Sequence, residues 1–265
     1  MYSIDLLGVL LILGAGFAFS WMMILWLIQL KTKNAGIGFF GSVLSIVLLT
    51  LFYYFEGNGW ENRKDVALLM ASLWGFRLSL FILFIRVLSS AEDPRYQQLR
   101  KKWEKLDVNQ KFLEFFEFQG LLAFVFSIPF LLACFNPLQE WNGFEKMGSF
   151  LWAFAFLGEV ISDWQLYRFK SKSSDKGKAC RVGFWNYSRH PNYFFEWLVW
   201  CAIALFAFGS PFGYVALVCP LLIFYLIFRV TGIPAVEAQA LRVQGDDYRK
   251  YQRTTNIFVP WFKKK

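Results

Sequence analysis

Charge is what this sequence is short of. Only 18% of its 265 residues are charged, against 57% hydrophobic and 21% aromatic. A soluble domain carries about 25% charged residues, so a water-exposed globule is excluded. Histidine is nearly absent: His190 stands alone, which rules out the His-rich di-iron centres of membrane desaturases. Cysteine is scarce. Cys134, Cys180, Cys201 and Cys219 form no close pair, so neither a disulfide framework nor a zinc site is indicated. Apolar–polar alternation is missing from runs such as VALLMASLWGF, and that excludes a transmembrane barrel. Internal repeats, low-complexity tracts and loops long enough for a soluble domain are missing too.

What is present is a series of apolar runs near the roughly 20 residues that a spanning helix needs. Seven spans are predicted: 4–30, 37–55, 66–88, 117–135, 148–168, 193–208 and 212–231. The fold class is therefore all-α, a single polytopic membrane domain over 1–265. Residues 1–115 are expected on the substrate side, and residues 116–265 are expected to supply the cofactor-binding loops and tail. The first run is too long for a signal peptide and lacks a small-residue cleavage site. Lys and Arg number seven from Arg86 to Lys111, seven from Arg168 to Arg189 and eight from Arg229 onward. The loop after span four holds only Lys146, and the loop between spans six and seven holds none. Arg63 and Lys64 read as loop charges offset by Glu61 and Asp65. Basic loops alternate, which predicts an N-out, C-in multi-pass protein. Residues Met1 to Asp5 carry no basic cluster, in keeping with an outside N-terminus. The membrane would be the inner membrane of a bacterium or the endoplasmic reticulum of a eukaryote. The same rule accounts for the net charge of +9, so no nucleic acid is expected, and no obligatory protein partner.

Ionisable groups at bilayer depth cost about 2.5–3.5 kcal/mol each on insertion scales. Arg77 nevertheless lies near the middle of span three. Glu159 and Asp163 are four residues apart in span five, on one helical face that Tyr167 continues. Asn192 and Glu196 repeat the spacing in span six, with Trp200 next in line, and Glu56 closes span two after Tyr53 and Tyr54. Any one of these reads equally as a packing pair, for example Arg77 with Glu159 or Glu196. The set predicts a polar cavity between spans five, six and the tail. Lys170, Lys172, Lys178, Arg181 and Arg189 would ring its mouth, or else be ordinary membrane-surface charge. Such a rim suits an anionic ligand, with Arg189 as a bidentate phosphate contact. The stretch GIGFFG at 36–41 matches G-x-G-x-x-G but follows no strand. It reads as helix-packing glycine rather than a dinucleotide turn.

The stretch GFWNYSRHPNYFFEW, with AEDPRYQQLRKKW, EVISDWQLYRFK and TGIPAVEAQALRVQGDDYRKYQRTTNIFVPW, strongly resembles the steroid 5α-reductase-like membrane proteins, in particular their bacterial branch. The resemblance covers roughly 66–261 and is looser in the first two spans. It implies a seven-helix domain that binds NADPH in a cytosol-facing cavity. It also implies a lipid-accessible pocket for a flat hydrophobic substrate, a 3-oxo-4-ene steroid or another enone lipid. Asp163, Asn192 and Glu196 match cofactor residues of the family, Asn192 and Glu196 near the nicotinamide end. Tyr187, Arg189, His190 and Tyr193 belong to the same motif, and Arg77 resembles an Arg of the third helix. Glu159, Tyr167, Lys170, Arg181 and Glu237 complete the cofactor set so implied; no metal is implied.

There are departures. The family's Gln-Glu pair is Phe55-Glu56 here, its third-helix Tyr aligns with Trp74, and Glu159 replaces an Asn. Glu56 is therefore expected as a buried, protonated acid that polarises the substrate ketone during hydride transfer to the β-carbon, with Tyr53 or Tyr54 as substitute proton donor. The R-H-P-x-Y core is shared with membrane methyltransferases of the isoprenylcysteine carboxyl type, which bind S-adenosylmethionine. A methyltransferase is the first alternative, and a non-enzymatic lipid-binding protein the second. Asn192 and the EDPRY segment favour the reductase.

Overall fold

The computed structural model describes residues 4–88, 92–172, 177–230 and 232–263. Residues 1–3, at the N-terminus expected outside, lie beyond those described. Nine α-helices follow in order among the described residues: α1 (Ile4–Thr32), α2 (Gly36–Glu56), α3 (Glu61–Ile82), α4 (Pro94–Lys102), α5 (Val108–Cys134), α6 (Gly143–Lys170), α7 (Pro191–Phe208), α8 (Val218–Tyr225) and α9 (Ile233–Thr254). Instead of strands, these residues show an isolated parallel bridge between Ser188 and Asn256. Several helix starts follow from local chemistry. Asp107 accepts from the Asn109 and Gln110 amides ahead of α5. Asn142 and Glu145 form a reciprocal capping box at α6, which satisfies two otherwise orphaned amides.

Six segments among the described residues are long and apolar enough to cross a bilayer, against the seven expected: Asp5–Thr32, Gly36–Glu56, Glu61–Ile82, Val108–Cys134, Pro191–Phe208 and Gly213–Thr254. The expected span 148–168 falls in α6. At 28 residues it has the length, but Glu145, Lys146, Glu159, Asp163 and Arg168 make it too polar. In the last segment the apolar stretch is Gly213–Leu217, α8 and the π-turn Leu226–Val230; α9 is amphipathic and polar.

Two compact units divide the chain. The first is Met1–Glu140 with Ser210–Phe212, the second Trp141–Gly209 with Gly213–Lys265. The division falls after 140, since α5 packs on α1, α2 and α3. Within the first unit, α2 turns Gly36, Gly38, Gly41, Ser42 and Ser45 inward. A Cβ on Gly41 would come within 1.8 Å of Leu25 Cδ1. These glycines serve helix packing, as the absence of a preceding strand implies.

At one end of this unit, Arg63 is fully buried. It donates to the carbonyls of Asn136 and Leu138 at 2.7 Å and of Glu140 at 2.9 Å. Lys64 donates to the carbonyls of Tyr54 and Gly57 and pairs with Glu61 at 2.9 Å. Both residues therefore belong to the first turn of α3 and are held by the main chain. The loop charges read from the sequence are a correction here. At the opposite end, Glu92 binds Arg100 at 2.7 Å and accepts from the Ala35 amide. Between these ends, both amide atoms of Gln29, Ser45 Oγ and Gln119 Nε2 are buried with no hydrogen-bond partner.

Candidate functional site

In the second unit, α6 and α7 run antiparallel at close range. A Cβ on Gly148 would meet the Phe206 amide nitrogen at 2.6 Å, and one on Gly158 would meet the Phe195 ring at 2.4 Å. Only glycine allows that approach. The register brings Asp163 to Asn192, whose Nδ2 donates to Asp163 Oδ1 at 3.2 Å. One turn along, the same register sets Glu159 on α6 level with Glu196 on α7. Glu159 is buried and Glu196 half-buried. Glu196 accepts from Trp200 Nε1 at 2.9 Å. The two i,i+4 pairs read from the sequence thus face each other across one helical interface.

The loop before α7 is fixed from both sides. The 3-10 turn Gly183–Asn186 docks on α6: the Phe184 amide donates to Gln165 Oε1 and Trp185 Nε1 to the Ser162 carbonyl. Gly183 has φ +56°, and a Cβ there would collide with the Gln165 side chain at 2.1 Å. From the other side, Tyr251 donates to the carbonyls of Trp185 and Ser188. Ser188 Oγ donates to the Phe258 carbonyl at 2.6 Å, and the Arg189 amide donates to the Asn256 carbonyl at 2.8 Å.

Around Glu237 these segments converge. Arg189 Nε donates to Glu237 Oε1 at 2.7 Å, while its Nη1 donates to the carbonyls of Gln252 and Thr255. His190 Nε2 reaches the same carboxylate oxygen at 3.2 Å, as does Tyr248 at 3.3 Å, and Gln252 Nε2 donates to the other oxygen at 2.8 Å. Burial opposes ionisation of Glu237, but the bonds from His190, Arg189 and Gln252 outweigh it and hold the carboxyl down at about 2. His190 is pushed down by burial, with Glu237 opposing; its Nε2 faces the carboxylate and its ring stacks on Tyr193 at 5.6 Å. Arg181 is bound to Asp247 at 2.7 Å, and the Ala179 amide donates to that same carboxylate.

The expected site residues therefore fall into separate groups. Asp163 and Asn192 meet, with Glu159 and Glu196 beside them. Arg189, His190 and Glu237 form a knot rather than a phosphate site: Nε and Nη1 of Arg189 are committed to protein acceptors, which corrects its reading as a bidentate anion contact. Arg181 is likewise taken by Asp247. Tyr167, Lys170 and Tyr187 are exposed, and Tyr193 lies against His190. Arg77 is half-buried on α3 in the first unit.

Also in the first unit, Glu56 is exposed at the end of α2, not buried as the proton-donor role requires. Tyr53 is fully buried and bonded to Ser127 at 3.2 Å. Tyr54 donates to Asp65 at 3.0 Å. Neither tyrosine presents the free hydroxyl expected of a substitute donor. Sequence reasoning missed Ser188, Tyr248, Tyr251 and Gln252. The spacing of 248, 251 and 252 along one face of α9 was the available signal.

No cluster of three or more His, Cys, Asp or Glu with metal-ligand placement exists among the described residues. For a nucleotide, the half-buried amide of Asn192 and the carboxylates beside it are a fitting donor and acceptor set for a carboxamide, with Lys170 and Lys172 exposed nearby in sequence. The sequence model of one family, described as "Protein of unknown function (DUF1295)", matches residues 25–255. No curated protein and no solved structure matches.

Proposed function

The chain belongs to the DUF1295 family, and from its residues we propose that it is a membrane reductase that uses NADPH to saturate a carbon–carbon double bond conjugated to a ketone in a flat, lipid-soluble substrate such as a 3-oxo-4-ene steroid. The observation that carries this reading is the Asp163–Asn192 bond, with Glu159 and Glu196 one turn behind it. Asp163 accepts from Nδ2 and so fixes which way the amide lies, leaving its oxygen as acceptor for the N–H of a nicotinamide carboxamide. Glu196, oriented by Trp200, supports the same face. Phe184 packs edge-to-face on Phe195, and Trp185 is tied to the Ser162 carbonyl of α6. When bound, the reduced nicotinamide supplies the hydride that the β-carbon of the enone accepts.

The phosphates fall to the basic loop, where Lys170, Lys172 and Lys178 are exposed. Of the three residues expected to act on the ketone, Tyr53 is buried and bonded to Ser127, Tyr54 is bonded to Asp65 and Glu56 is exposed, so the contact with the ketone is assigned to none of them. The EDPRY segment and the amide at Asn192 support the reductase over the methyltransferase.

The test is calorimetry and turnover on the purified protein in lipid nanodiscs. NADPH binds, and progesterone or testosterone drives its consumption. Asn192→Ala weakens NADPH binding about tenfold, the value of one lost hydrogen bond of ~1.4 kcal/mol. Binding of S-adenosylmethionine with no NADPH affinity would assign a methyltransferase. Folded protein that binds neither would leave a lipid-binding protein.

A further inference from the structure

The segment after α9 is an extended strip fastened to the protein on one side and apolar on the other. The Asn256 and Phe258 carbonyls and the Trp261 amide bond to Arg189, Ser188 and Tyr187. Phe258 points inward and is 5% exposed. It sits among Phe194 and Trp197 at the start of α7 and Phe224 and Phe228 at the end of α8. The alternate residues point out: Ile257 is 38% exposed, Val259 50% and Trp261 65%, and Phe262 follows at 76%. A two-residue period with one face buried is what an extended strip lying on a surface gives. The surface here is made of the ends of two spans, so the outward face lies at the level where helices leave the bilayer. A groove of about 380 Å³ runs along it, lined by Asn256, Ile257, Phe258, Val259 and Trp261.

Charge accompanies this strip. From Tyr248 to Lys265 there are six Lys and Arg and no Asp or Glu. Lys250, Arg253 and Lys263 are exposed. Nothing inside the strip neutralises them. Indole and phenyl rings beside a cluster of cations match the headgroup level of a bilayer, where aromatic rings sit and anionic lipids attract Lys and Arg.

We propose that the strip Asn256–Lys263 seats an anionic phospholipid. Its acyl carbons lie along Ile257, Val259 and Trp261, and its phosphate meets Lys263. The seat draws on no element of the reductase reading and exists whether or not NADPH binds.

A polarity-sensitive dye on Val259→Cys, in the full-length protein, reads it. The chain without the substitution, taken through the same labelling, serves as the blank, because Cys201 is only half-buried. In nanodiscs of phosphatidylcholine mixed with phosphatidylglycerol, the dye emission moves to shorter wavelength than in phosphatidylcholine alone. Replacing Lys263, Lys264 and Lys265 with Gln abolishes most of that movement. So does salt near 1 M, where the screening length falls to about 3 Å. Equal emission in both lipid compositions overturns the proposal. A shift that survives the Gln replacements also overturns it, since apolar contact alone would then hold the strip. A shift produced in phosphatidylcholine by added inorganic phosphate overturns it in favour of a soluble-anion site. Because the readout is emission and not NADPH consumption, it stands apart from the test of the reaction.

Discussion

In the first unit, Arg63 and Lys64 are kept from water by main-chain carbonyls. In the second, Arg189 and His190 share one carboxylate, Glu237, and two carbonyls complete the bonding of Arg189. Carbonyls carry no charge to titrate and come with the backbone, so the first arrangement is a fastening and little else. A carboxylate shared by an arginine, a histidine, a tyrosine and a glutamine depends on each partner staying in place. The second arrangement ties a loop and α9 into one object, beside the half-exposed Asp163–Asn192 pair. Side-chain networks next to a solvent-accessible amide are where chemistry is to be sought. Cations wrapped in carbonyls are where stability is to be sought.

The comparison breaks or sharpens at five positions. Glu237→Ala has the largest effect. It strands Arg189, 9% exposed, and His190, 3% exposed, and removing one partner of such a buried pair costs about 3–5 kcal/mol. Thermal unfolding in detergent shows it as the largest fall in midpoint of the set. The same group sets a pH response. Its folded carboxyl is held at about 2, below the ordinary ~4.3. The unfolded chain therefore binds the extra proton, and the stabilisation is complete above pH ~4.3 and lost as pH falls toward about 2. His190, pushed down by burial, acts in the same direction at higher pH: stability falls as pH drops below ~6.5. Unfolding midpoints across a pH series read both, and Glu237→Gln removes the lower step.

Arg63→Ala comes next. It strips three carbonyls of their donor and costs roughly 2–4 kcal/mol. A loss as large as that of Glu237→Ala would erase the distinction between the two units. Third is Gln29→Leu, with the opposite sign. Both its amide atoms are buried without a partner, so an apolar side chain of similar size stabilises by about 1–3 kcal/mol. A fall in midpoint would mean that the amide is engaged. Fourth, Asp163→Ala changes the midpoint by less than ~1 kcal/mol, while NADPH affinity drops as it does for Asn192→Ala. A large unfolding effect would return this pair to the class of fastenings. Smallest is Arg181→Ala, whose exposed pairing with Asp247 is worth ~0–1 kcal/mol.

The i,i+4 spacing of Glu159 with Asp163 and of Asn192 with Glu196 was enough to place each pair on one face, and the antiparallel register did bring Asp163 to Asn192. Helix starts at Asp107 and Asn142 were local, and so was the packing use of Gly41. What was not legible depends on partners distant in sequence. Arg189 looks like one more cation in a basic loop until Glu237, 48 residues on, takes its Nε. Arg63 looks like a loop charge until the carbonyls of residues 136–140 close over it. Glu56 followed the resemblance into a burial that the end of α2 does not provide. The span read at 148–168 lies in α6, which has the length but is not among the six segments of the described residues apolar enough to cross a bilayer.

The parallel bridge between Ser188 and Asn256 has a consequence for synthesis. The ribosome delivers the Ser-Arg-His loop well before the residues that clasp it. Until Glu237, Gln252, Thr255 and Asn256 have emerged, Arg189 and His190 lack their acceptors, and the helix that begins at Pro191 enters the translocon with its leading edge unsecured. The nascent chain therefore carries a competent pair of helices but an open loop, and translation must run through residue 258 before the loop can close.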